Sequence, residues 1–159
     1  MPKDTALRDQ LIYLLEGGNA HAKFDDVVKG FPIELAGKRP KGSAHSAWEL
    51  LEHLRLAQND ILRFSQSGDH VSPKWPEGFW PSTAGPAGKP EWQKSIRAFR
   101  KDLAEFEEMV RDPKQNLHKK FPWGDGQTLL REALLIADHN AYHLGQLLLV
   151  RQLLGAWSK

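Results

Sequence analysis

No cysteine occurs in the 159 residues. Disulfides, thiolate metal ligands and an internal thiol nucleophile are therefore excluded, and any thiol chemistry needs a thiol brought in from outside. No run approaches the ~18 apolar residues of a membrane span. The N-terminal stretch Met1-Pro2-Lys3-Asp4-Thr5-Ala6 also lacks the apolar core of a secretory signal, so a cytoplasmic address is expected. An excess of one charge is missing too: 22 Lys and Arg against 20 Asp and Glu leave a formal net charge of +2. Lys119-Lys120 and the Lys38, Arg39 and Lys41 group are short, separate clusters mixed with acids elsewhere. They do not form the basic stripe of a nucleic-acid binder, so neither nucleic acid nor membrane is expected as a partner.

What is present is helical periodicity. Leu7, Leu11, Leu14 and Leu15 mark a first amphipathic helix from Asp4 to about Ala22, weakened at Gly17-Gly18, with a short piece over His21–Val28. Ser46-Ala47-Trp48-Glu49 is a capping box that starts a second helix, which carries Leu50, Leu51, Leu54, Ile61, Leu62 and Phe64 to about Ser67-Gly68. Trp92, Ile96, Phe99, Leu103, Phe106 and Val110 set a third helix from Pro90 to about Arg111. Thr128 caps a last one, Leu-rich to about Leu154, with Gly155 as its stop. Four long helices with no convincing strand imply a single all-α domain over residues 1–159, an antiparallel four-helix bundle.

Between the second and third helices the composition changes to Pro, Gly and Trp, centred on Trp75-Pro76-Glu77-Gly78-Phe79-Trp80-Pro81. A connection longer than about 12–15 residues tends to be a functional lid or a disordered tract. This much aromatic surface favours an ordered cover packed on the bundle, with a substrate-contacting rim as the alternative.

The chemistry concentrates in Asp138-His139-Asn140-Ala141-Tyr142-His143-Leu144-Gly145-Gln146. Residues four apart on a helix lie about 40° apart around its axis, so His139 and His143 can reach one metal ion. Glu132 and Gln146 fall on the same stripe, and unpaired polar groups on a mostly buried helix cost about 1–3 kcal/mol each. Two explanations stand side by side: neutral histidines hydrogen-bonded inside the bundle, or a shared metal. His53, set among apolar residues of the second helix, would add a third nitrogen and leave open positions. Asn140 stands where an HExxH protease helix carries its general base, which excludes that reading. Asp138 reads as a surface residue, and Glu49 is explained by its capping role. His45, just before the cap, reads as a boundary residue and not as a fourth ligand. His21 sits where it could approach a pocket mouth, and His70 and His118 read as solvated loop residues.

The Trp-Glu-Leu-Leu-Glu-His-Leu context of His53, followed by Asp-His-Asn-Ala-Tyr-His-Leu-Gly-Gln, resembles the DinB-like (DinB/YfiT) superfamily of metal-binding four-helix bundles. That family is unrelated to the translesion polymerase of the same designation. The resemblance implies a three-histidine site of His53, His139 and His143 holding a divalent ion, zinc or nickel. It also implies pairing as a homodimer. Characterised relatives include transferases and isomerases that use small thiols, so a metal-dependent enzyme acting on a small molecule is expected, a thiol-dependent transferase or a hydrolase, with Gln146 or Tyr142 near its pocket. The alternative is a non-catalytic, metal-stabilised bundle in a binding or stress-related role, for which a fourth protein ligand would close the shell.

Overall fold

The computed structural model describes residues 4–157. Its helices are α1 (Thr5–Glu16), α2 (Phe24–Val28), α3 (Ala47–Gln66), α4 (Lys89–Arg111) and α5 (Leu129–Leu153), with short 3-10 turns at Ile33–Leu35 and Glu77–Phe79. The all-α expectation is met: the described residues hold no strand, only an isolated bridge between Lys120 and Thr128. None of these helices is long and apolar enough to cross a membrane.

The first helix is shorter than its periodicity suggests. Gly17 takes φ 65° and its N–H returns to the Leu14 carbonyl, ending α1 one turn before His21. A positive φ at that position is one glycine adopts without a Cβ penalty.

The start of α3 forms as its capping box requires. The Ser46 hydroxyl accepts from the Glu49 N–H, and the Glu49 carboxylate accepts from the Ser46 N–H at 2.7 Å. The same hydroxyl donates to the Ala84 carbonyl, and Arg39 clasps the Glu49 carboxylate with two nitrogens. Ser46→Ala should therefore cost about 1 kcal/mol, a fall of about 2–4 °C in a thermal melt of a chain this size. Burial pushes the Glu49 carboxyl up, but Arg39 and the Ser46 N–H outweigh it and hold it below the usual carboxylate range. A folded carboxyl titrating below its unfolded value, about 4.3, contributes stability that is present above that pH and lost as pH falls through the folded value. Glu49→Gln should accordingly flatten the fall in melting temperature between about pH 5 and pH 3.

Direction is where the bundle departs from an all-antiparallel arrangement. Trp48 meets Trp92, Gln58 donates to the Phe99 carbonyl and Gln66 donates to Glu105, so position rises together along α3 and α4. The two run parallel. Against α5 the order reverses, with His53 beside His143 and Gln58 bonded to Asn140. A helix of about 20 residues is about 30 Å long, so a chain that must start the next helix at the same end needs roughly nine extended residues merely to return. Residues 67–88 make that return, which is why this connection cannot be short.

The crossover is pinned to the loop before α3. A Cβ on Gly37 would lie 2.9 Å from the Gly85 Cα, so the two backbones meet at a distance only glycine allows. Two apolar clusters fill the bundle, one around Trp48, Leu51, Trp92 and Phe99, the other around Leu62, Phe106, Leu129 and Ile136. The hydrogen-bonded pair Gln58 and Asn140 joins α3 to α5, one residue from His139.

Candidate metal centre

His53 comes from the second turn of α3, and His139 and His143 from the middle of α5. Because α3 and α5 run antiparallel in contact, the three rings converge. His53 Nε2 lies 3.2 Å from His143 Nε2 and 3.1 Å from His139 Nε2. One ligand atom from each residue falls within 4.8 Å of the others.

The far nitrogens decide what those near contacts are. His53 Nδ1 is 2.8 Å from the Phe79 carbonyl, which can only accept, so the Nδ1 proton donates there and leaves Nε2 bare. His143 Nδ1 is 2.7 Å from Gln146 Oε1 and donates in the same way. Two lone pairs then face each other across 3.2 Å with no proton between them. A cation satisfies both at once. Nitrogens held at about 2.0–2.1 Å around one tetrahedral ion stand about 3.3 Å apart, close to the spacing seen here. The residues present thus fit a metal ion.

Burial favours the form that binds metal. Desolvation pushes all three imidazoles below their ordinary range, His139 to about 4 with further lowering from His143 and His53. They are neutral at pH 7, which ligation requires. Asn140 alone pulls His139 back up, and by hydrogen-bond geometry His139 Nδ1 and Asn140 Oδ1 are both buried without a partner.

The crossover covers this cluster. The Trp80 indole lies on His53 at 4.0 Å and 1° between planes, and the His45 ring stacks on Trp80 at 4.1 Å. Residues 79 and 80 therefore set both the tautomer and the plane of His53. Neither was singled out in the sequence as a site residue. The aromatic and proline alternation marked an ordered cover, but no periodicity relates a crossover residue to a helix face.

The other expected positions divide. Gln146 is at the site, and Tyr142 meets His143 edge-on at 4.8 Å while standing exposed. Asp138 is exposed, as expected. Glu132 is buried but bonds to Arg131, and burial pushes its carboxyl up against that guanidinium's pull; it takes no part in the cluster. His21 lines a separate pocket with Asn140, Leu15 and Phe99. His118 is exposed near Asp4, whereas His70 is not simply solvated: its Nε2 meets Asp60 at 2.7 Å.

The family model described as the DinB superfamily matches residues 18–147, a span that includes all three histidines and the whole crossover. No curated protein and no solved structure matches the chain.

Proposed function

Because the chain belongs to the DinB superfamily, we propose that it is a divalent-metal protein with His53, His139 and His143 as ligands, serving a reaction on a small molecule. The observation that carries this reading is the pair of bare Nε2 atoms of His53 and His143 facing each other, with both Nδ1 protons already committed. An ion of the zinc or nickel kind supplies Lewis-acid chemistry, lowering the pKa of a water or thiol in its open position. The protein's own part is orientation: the Phe79 carbonyl and Gln146 fix two tautomers, and Trp80 keeps water off one face of His53.

An open position is supported by where the neighbouring donors are engaged. Both Glu49 oxygens are held by Arg39 and the Ser46 N–H, Gln146 Oε1 is bonded to His143, and His45 lies flat on Trp80. Among the described residues no fourth His, Asp or Glu joins the group. Structural zinc sites are closed by protein, whereas catalytic ones keep a place for water or substrate. With no cysteine in the chain, the thiol of a thiol-dependent transferase would come from solution. Hydrolysis is the other reaction class the same site would serve.

The non-catalytic reading keeps one supporting observation: the ligands come from α3 and α5, so an ion there would tie two helices together. Metal content of tag-free protein tests the shared premise. Wild-type chain should hold close to one divalent ion and His53→Ala none, and metal-free wild type at neutral pH would sink both readings. Turnover of a small electrophile with an added thiol, or of an activated ester, lost on chelation and regained on reloading, separates enzyme from binding protein. Pairing with a second copy is the remaining expectation about partners. A solution mass near the 18.0 kDa of one chain would refute it.

A further inference from the structure

Beside the histidine cluster a groove of about 350 Å³ runs between residues 41–45 and the last turns of α5. It shares two walls with the cluster. Gln146, which holds the His143 Nδ1 proton, lines it, and so does His45, which stacks on Trp80.

Its chemistry is one-sided. Leu50 and Val150 form a buried apolar floor, and Leu149 and Leu153 stand at the edge with 53% and 55% of their surface exposed. Lys41 and His45 line it as well, and no Asp or Glu does, in a chain that carries 20 acidic residues. Neither the Lys41 ammonium nor the His45 ring nitrogens make a hydrogen bond or ion pair among the described residues. A lysine ammonium and imidazole nitrogens that make no hydrogen bond, beside an apolar wall, are complementary to one kind of small molecule.

We infer that this groove binds a small organic anion with an apolar tail, its head on Lys41 and His45 and its tail over Leu149 and Leu153. This rests on the metal-centre reading above in one respect: the anion is then the substrate, its head on His45, which one stacked ring, Trp80, separates from His53. A buried area lined by aliphatic side chains supplies most of the affinity, and the charge-assisted contact supplies the preference for an acid.

Octanoate is a suitable probe, because 1-octanol and octylamine carry the same tail without the negative head. Binding to the full chain is measured by titration calorimetry, with and without chelator. Octanoate should bind at least tenfold more tightly than 1-octanol, with no detectable binding of octylamine. Lys41→Glu, at an exposed position, should weaken octanoate at least tenfold with an unchanged far-ultraviolet circular dichroism spectrum. Equal affinities for octanoate and octanol, or an unchanged octanoate affinity in Lys41→Glu, overturn the assignment. So does a dimer that Leu153→Glu dissociates and that takes no octanoate, which gives the wall to a second copy. Failure of the metal reading is distinct: the wild type then holds no ion, yet octanoate still binds and still depends on Lys41.

Discussion

Chelation is expected to lower the melting temperature of the wild-type chain by roughly 5–11 °C and to leave His53→Ala unmoved. The size follows from linkage. An ion present at about 100 times its dissociation constant stabilises the folded state by about 2.7 kcal/mol, and each kcal/mol shifts the melt of a chain this long by about 2–4 °C. His53 is the informative position because it alone brings α3 into the cluster; without it only the i and i+4 pair of α5 remains. The substitution has a cost of its own, since it strips the Phe79 carbonyl of its donor and Trp80 of its stacking partner. His143→Gln, at a half-buried ring, is the companion variant that avoids this. Scanning calorimetry of all three proteins with and without chelator makes the comparison. A wild-type melt that does not move under saturating chelator would rule out an ion that bridges the helices.

The helices and the histidine cluster were legible in the sequence for different reasons. Ser46 and Glu49, Thr128 and the leucine spacing report on contacts within a few residues, where the chain leaves little freedom. The His139 and His143 pair is local in the same sense. His53 is not: its setting among apolar residues of the second helix made it a candidate third nitrogen, the resemblance implied its place in the cluster, and the contact between α3 and α5 supports that. Glu132 shows the limit of a helical stripe. Seven residues return to the same face but also climb two turns, about 10.5 Å, so a shared face is not a shared site. The direction of α4 was hidden because a long connection permits either sense, and the tie between His70 and Asp60 because nothing in the pattern relates a loop residue to a helix. Apart from its polar stripe the last helix read as Leu-rich and mostly buried, yet Leu134, Leu149 and Leu153 stand half exposed. Hydrophobic composition reports the tendency to be covered and does not name the cover.

Trp80→Ala should weaken metal binding about 10–100-fold while the chain still folds, the range for losing an outer group that orients a ligand. The His53 ring is held at two points by adjacent residues, the Phe79 carbonyl at Nδ1 and the Trp80 indole across its face. Removing the indole leaves the hydrogen bond but frees the ring to tilt about it, and lets water reach a nitrogen that must stay bare. His45 loses its stacking partner in the same step. Trp80→Phe keeps a flat ring over His53 and should recover most of the affinity, which a mere loss of packing volume would not predict. Phe79→Leu keeps the backbone carbonyl and should bind metal like wild type, so the pair of neighbours separates the two kinds of support. Competition against a chromophoric chelator reads the affinities, and melts of the stripped proteins report whether each variant is folded. Binding in Trp80→Ala within twofold of wild type would mean that the crossover merely covers the centre and does not orient it.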